Sequence, residues 1–222
     1  MKKTPILFAA ITGFAAMAAF SSCGSGSGDK AQVTEEQKVD SAQGKTLMAD
    51  LNSSVIGFTG NGVGKDHPGK LKLTEGSLVV MNGDITGGKF TIDINSMTMD
   101  QTEGFITEKL RPHLLSPDFL DAAKFPAATF EITKVEAYTP SGNDSSVVAG
   151  ANKTVSGNLT MKGVTKNIRF PAKVEVSETG STAVANFDID RTLWGIVYGN
   201  DQSLKDKFIS PTVNIRINIA AK

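Results

Sequence analysis

Apolar and polar residues alternate along most of the chain with a period of two. At that spacing a β-strand turns one face to a core and the other to water. The clearest block is Gly157–Val176. Leu159 and Met161 fall on one side there, and Asn158, Thr160 and Lys162 on the other. Past Gly163 the alternation resumes with Ile168, Phe170, Ala172, Val174 and Val176, while Lys166, Lys173 and Glu175 take the outer face. This reads as two strands joined by a tight polar turn. The same rhythm marks Phe90-Thr91-Ile92-Asp93-Ile94, Ala128–Ala137 (Phe130, Ile132, Val135), Thr182–Asp190 (Val184, Phe187, Ile189) and Pro211–Ile219, where Val213, Ile215, Ile217 and Ile219 alternate with polar residues. A further strand is expected over Val147–Met161.

The breaks are as informative as the runs. Asn82-Gly83 is a hairpin turn signal. Gly87-Gly88 marks a bulge or a second break. Asn61–Lys70 (NGVGKDHPGK) reads as a turn-rich loop holding His67, and Thr139–Asp144 as a turn. Thr102–Ala123 departs from period two: Ile106, Leu110 and Leu114 recur every fourth residue, as on one helix face. Pro112 is expected to kink or split that helix. Ser116-Pro117-Asp118 reads as the start of a second short helix with Phe119, Leu120 and Ala123 on its buried side. Eight to ten short strands with short connections imply antiparallel pairing. Within one domain of this size they favour a single closed antiparallel barrel, because closure removes exposed edges. The expected fold is therefore all-β, with one short kinked helical segment.

The 222 residues are 40% hydrophobic and 21% charged, which suits one sizeable domain with an appended tail. Formal net charge is zero, with no basic block, so nucleic acid is not an expected partner. The first 22 residues stand apart from the fold: Lys2 and Lys3, then an apolar run, Ile6–Phe20, too short to span a bilayer, then Ser21-Ser22-Cys23. This resembles a bacterial lipoprotein signal, in which Cys23, the only cysteine, becomes the lipidated N-terminus; Phe20 stands where such signals usually carry Leu. Residues 23–45, Gly/Ser-rich and then polar, read as a flexible tether, and 46–222 as the barrel domain. The expected location is the cell envelope, membrane-anchored, facing the periplasm or the cell surface.

Four stretches in order carry a resemblance to the YceI-like lipid-binding proteins. They are GGKFTIDINSM (Gly87–Met97), LLSPDFLDAAKFP (Leu114–Pro126), GNLTMKGVTK (Gly157–Lys166) and FDIDRTLWG (Phe187–Gly195). The resemblance spans roughly Thr46–Ala221. It implies a lipocalin-like barrel whose pore holds a long polyisoprenoid, such as a quinone tail or a prenyl phosphate, and no other cofactor. The Lys65–Lys70 loop and the Pro112 helix depart from better-known members.

On that reading Phe90, Ile92, Ile94, Phe130, Leu159, Met161, Phe187 and Ile189 are the candidate lining, and Leu110, Leu114 and Phe119 cap or gate one end. The bland alternative is that they fill a solid barrel, in which case the protein is an envelope adhesion or partner-binding module. Arg191 is a candidate headgroup donor, because a guanidinium forks onto phosphate oxygens; the alternative is an ion pair with Asp188 or Asp190. Trp194 belongs either at the rim or in the core. A homodimer is left open. The two histidines lie in separate segments, no HExxH or Cys/His cluster occurs, and no G-x-S-x-G is present, so neither a dedicated metal site nor an enzyme is expected.

Overall fold

The computed structural model describes residues 27–62, 64–140, 145–177 and 179–222, without the side chain of Asp206. The expected signal segment 1–22, Cys23 and part of the Thr139–Asp144 turn lie outside the described residues. In chain order the strands are β1 (Asp29–Lys30), β2 (Gln32–Glu35), β3 (Lys45–Met48), β4 (Val55–Gly62), β5 (Lys65–Met81), β6 (Asp84–Met99), β7 (Ala127–Ala137), β8 (Lys153–Met161), β9 (Val164–Val176), β10 (Ser181–Asp190) and β11 (Ile209–Ala221). β4 to β11 pair antiparallel in sequence order, and β11 returns to β4, closing an eight-stranded barrel. β3 continues the wall beyond the start of β4, pairing the far half of β5 and bonding at its end to β11 through Met48–Lys222 and the Ala49–Ala221 bridge, with Leu47 in the core.

Local chemistry sets the corners. Asn82 and Gly83 both have positive φ (55° and 82°), as do Lys162 and Gly163 (48° and 76°), the pair of left-handed residues that a two-residue hairpin turn needs. Near Gly87-Gly88 the β5–β6 register slips between Val79 and Val80, a bulge that bends the wall. The turn-rich loop expected at Asn61–Lys70 is instead a tight hairpin. β4 runs to Gly62 and β5 starts at Lys65, so His67 sits in a strand opposite Gly60. Gly62, Pro68 and Gly69 lie within strands and Gly64 makes the turn (φ 71°); Pro68 faces Thr59 midway along the pair.

The segment between β6 and β7 is helical only over 104–115. A π-helical turn, Ile106–Leu110, runs into α1 (Arg111–Leu115). Pro112 sits where the π-turn gives way to α1: the backbone stays right-handed helical through Leu110 and Arg111, and the Arg111 N–H donates to Ile106 O, but the proline has no N–H to continue that pattern, so the irregularity expected of it falls at this junction. The helix expected from Ser116 does not form. Ser116 is extended (ψ 170°) and ends α1, its hydroxyl donating to the His113 carbonyl, and a series of turns follows with Asp121 at φ 48°. β8 begins at Lys153, six residues later than the apolar residues Val147 and Val148 suggest, because turns occupy 149–150.

The larger correction concerns the expected tether. β9 and β10 pair only from Val176↔Ser181 to Lys173↔Val184 and then part. Residues 29–35 enter the opening: β1 runs parallel to β10 at Phe187–Asp188, and β2 antiparallel to β9 at Arg169–Lys166. Ala31 between them is buried, its N–H donating to Asp188 O, and Val33 packs on the core. The segment is thus a seam strand. The Asn158 carboxamide then holds the backbone N–H and carbonyl of Gln37 (3.0 and 2.7 Å), and Thr86 donates to Gln43 O (2.7 Å), fixing the chain across the outer wall as far as β3. The polar composition misled because sheet edges bind through backbone hydrogen bonds, which need no hydrophobic side chains.

Candidate functional site

The barrel is hollow. A cavity of about 490 Å³ runs along its interior, walled almost entirely by aliphatic and aromatic side chains. That volume falls within the range of ~300–1,000 Å³ typical of ligand pockets. The reason is the pleat: inner positions of every strand are apolar, and at several of them the side chain is small, as at Ala128, Ala172, Ala183 and Ala185. Eight strands enclose a bore that only larger residues would fill.

Phe90, Ile92 and Ile94 from β6, Phe130 from β7, Leu159 and Met161 from β8, and Phe187 and Ile189 from β10 all border this cavity, as do Leu110, Leu114 and Phe119 from the helical segment. The Phe170 and Phe187 rings stack across the seam at 4.0 Å, and Phe130 tilts against Phe170 at 6.0 Å. Sequence reasoning omitted β11, whose Val213, Ile215, Ile217 and Ile219 form a further wall, and Ile56 and Phe58 of β4. The alternation along β11 was the signal that could have found them.

The cavity opens at the end where β4, β6, β8 and β10 finish and β5, β7, β9 and β11 begin. There the helical segment and the 191–208 connection meet. His113 stands edge-on to both Phe119 (5.0 Å) and Tyr198 (4.7 Å), and its Nε2 lies 3.1 Å from Asp118 Oδ2. Asn61, His67, Phe105, Tyr198 and Lys207 complete the opening. His67 Nδ1 is 3.3 Å from Gln101 Oε1. Among the described residues no group of three or more His, Cys, Asp or Glu gathers at metal-binding distance.

Two candidate headgroup residues are placed differently from the expectation. Arg191 borders the cavity but is buried. Nε donates to Ser210 O, Nη1 to Ile196 O, and Nη2 to Tyr198 O and Ile209 O. It thereby ties the 191–210 connection into one piece under Phe119, whose ring centroid is 5.6 Å from Cζ. The fork expected for a phosphate is engaged by backbone. Neither acid pairs with it: Asp190 caps the next turn at Thr192 (2.9 Å), and Asp188 accepts from Gly28 and Asn214. Burial lowers the Arg191 pKa, and nearby Asp190 opposes that shift. Trp194 is not at the rim. It is fully buried, away from the cavity, with Nε1 donating to Leu159 O at 3.0 Å, which joins the β10–β11 connection to the β8 edge.

An up-and-down antiparallel barrel of eight strands around an apolar cavity defines a protein of the lipocalin-like architectural class. Within it, the YceI-like domain matches residues 48–221, and the chain belongs to that family. A UPF0312 protein of Pseudomonas aeruginosa is 31% identical over 106 residues, 48% of each chain, and a YceI protein of Salmonella heidelberg is 28% identical over 143 residues, 64% of this chain and 63% of that one. The chain thus spans about half to two thirds of the length of these curated relatives. Among solved structures, Burkholderia cenocepacia BcnA superposes with TM-score 0.60 at 18% identity, covering 78% of this chain and 99% of that one. A polyisoprenoid binding domain from Saccharophagus degradans superposes with TM-score 0.57 at 13% identity, covering 79% and 97%. At those identities the likeness is one of fold. The family match begins at residue 48, so the seam strand lies upstream of it.

Proposed function

We propose that this protein holds a polyisoprenoid or a similar long apolar chain, a quinone or a prenyl phosphate among the candidates, inside the barrel, and that it sequesters or carries that lipid in the cell envelope without transforming it. The observation that carries the reading is the apolar cavity of about 490 Å³. A solid barrel, which the partner-binding alternative requires, has no such space. Each methylene-sized group moved from water into such a site gains about 0.8 kcal/mol. A chain burying a dozen of them gains on the order of 10 kcal/mol before the costs of ordering. Affinity then needs few polar contacts, in keeping with a wall that offers few. The similarity to a polyisoprenoid binding domain supports the same ligand class. Lipidation at Cys23 is part of the proposal, as it would keep the carrier at the membrane from which its cargo comes.

The test is native mass spectrometry of the chain from Gly24 onward, which contains every described residue and so the whole barrel. Gentle purification should yield a bound mass that organic solvent releases as a long-chain hydrocarbon derivative. Apoprotein that also fails to take up a solubilised quinone or polyprenol would overturn the proposal.

A further inference from the structure

Both histidines of the chain border the opening of the cavity, although they come from separate segments. His67 occupies an inner position of β5. It lies opposite Gly60, in the row that continues through Gly69–Phe58 and Leu71–Ile56 along the same face of the wall. Gly60 leaves room beside it, since a methyl there would meet nothing within 4 Å. His113 reaches the same opening from α1, between Phe119 and Tyr198. Each ring has one nitrogen on an acceptor of the protein, Gln101 Oε1 for His67 (3.3 Å) and Asp118 Oδ2 for His113 (3.1 Å). The second nitrogen of each is left for a ligand, and donates to it when the ring carries both protons.

Charge at this end of the bore is one-sided. Arg191 and Lys207 border the cavity, and among the described residues no Asp or Glu does, in a chain with 23 side chains of each sign. Acids of this end are engaged by other donors: Asp66 accepts from Asn61 (2.9 Å), Asp190 from Thr192 (2.9 Å) and Asp201 from Ser203 (2.8 Å). The carbonyls around Arg191 satisfy its N–H groups but do not cancel its charge. A positive charge is therefore held, buried, at the cavity wall. In apolar surroundings such a charge acts more strongly and over a longer distance than it would in water.

We propose that His67, His113 and Lys207, backed by the fixed charge of Arg191, form a subsite for an anionic head, a phosphate or a carboxylate, on a ligand whose apolar chain fills the bore. The proposal rests on the cargo reading and narrows it, selecting charged heads over neutral ones. Oxygens of an anionic head accept from imidazolium and ammonium donors in charge-assisted hydrogen bonds, which a neutral alcohol or carbonyl matches only weakly. The tail then supplies most of the affinity, and the head fixes the orientation, with the chain inward and the anion at the opening.

The test is isothermal titration calorimetry of the delipidated chain from Gly24 at about pH 6.5, within the range where imidazoles exchange protons. Two pairs of probes matched in tail are compared in the same detergent: geranylgeranyl phosphate with geranylgeraniol, and oleate with oleyl alcohol. An anion is expected to bind at least tenfold more tightly than its alcohol. A preference in the first pair alone assigns a phosphate head, in the second alone a carboxylate, and in both a site that reads charge; each supports the proposal. His67→Leu, His113→Phe and Lys207→Met together are expected to cut the preference to threefold or less while geranylgeraniol binds within twofold of the parent, which shows that the bore is intact. If the triple variant loses the alcohol as well, Lys207→Glu decides, because Lys207 is exposed and its replacement disturbs no core: the preference falls at least fivefold or the proposal fails. Alcohols bound as tightly as their anions, or a preference kept by a triple variant that still binds geranylgeraniol, would overturn the proposal and leave the cargo reading standing. Uptake of neither member of either pair would overturn both.

Discussion

At the scale of single residues, Arg191 shows how a charged group can border an apolar site and serve architecture. Its guanidinium satisfies carbonyls at 196 and 198 within the mouth connection and at 209 and 210 across it on β11. Arg191→Ala leaves these acceptors without their donor, and a buried group left unsatisfied costs about 1–3 kcal/mol. The variant should lose on the order of 3 kcal/mol of stability. Arg191→Lys should recover only part of that, because an ammonium cannot reproduce the planar fork. Urea unfolding checks both; an Arg191→Ala midpoint equal to wild type would mean that the network contributes nothing. A second pair of variants separates backbone strain from packing. Gly83 and Gly163 both have positive φ, but a methyl at 83 meets nothing within 4 Å, whereas one at 163 comes within 2.8 Å of the Phe125 ring. Gly83→Ala should cost about 1 kcal/mol, the left-handed penalty alone. Gly163→Ala should cost more, as Phe125 must also move. Paired denaturation curves decide it, and equal costs would remove the Phe125 argument. These details differ in how far sequence exposes them. Asn82-Gly83 announces its turn chemically, and period two assigns Phe90, Ile92 and Ile94 to the inner face. Nothing local tells whether Arg191 meets a phosphate or four carbonyls, since those partners are set by a connection folding back on itself. Trp194 is equally silent: its carbonyl partner at Leu159 is 35 residues away.

At the scale of elements, the strands were legible and the seam was not. β9 spans Val164–Val176 as its alternation indicates, and β11 needs only two residues added at each end. Such strands carry their own signal because one face is buried along their whole length. The seam strand has no such signal. It is two short pieces, DK and QVTE, whose stability comes from backbone pairing with residues more than 130 positions away and from the small apolar contacts of Ala31 and Val33. The helical segment failed for a related reason. Ser116 has the chemistry of an N-cap, but the preceding turn claims it as a C-cap. Asn158 offers a handle on the seam strand, since its side chain holds both backbone groups of Gln37 and accepts from Asn167 Nδ2 at 3.0 Å. Asn158→Ala should cost about 1–3 kcal/mol. It should also raise amide exchange in residues 32–37 well before β8 and β9 themselves begin to exchange, as expected of a locally opening unit. Exchange by mass spectrometry is the measurement. Unaltered protection at 32–37 would show that β1 and β2 hold the strap without this anchor.

At the scale of the whole molecule, the decisive property is that the barrel encloses more space than its side chains use. Alanines at 128, 172, 183 and 185 keep that space open, and enlarging two of them should close it. Ala128→Phe with Ala185→Phe places two rings in the bore. In a well-packed core such additions typically cost ~1–3 kcal/mol of strain. Here they project into a cavity and gain buried apolar contact instead, so the ligand-free variant should be at least as stable as the ligand-free parent. Ligand should then stabilise only the parent. At a hundred times the dissociation constant, linkage gives about 2.7 kcal/mol, read as a rise in melting temperature on adding a solubilised quinone or polyprenol. For the variant the rise should vanish, together with the bound mass in native spectra. The two readouts fail differently. A variant that unfolds early would show that the bore cannot accept the rings and that the cavity walls are tighter than the geometry implies. A variant that is stable and still binds lipid like the parent would place the ligand outside the barrel, and the proposal that the hollow is the site would fall with it.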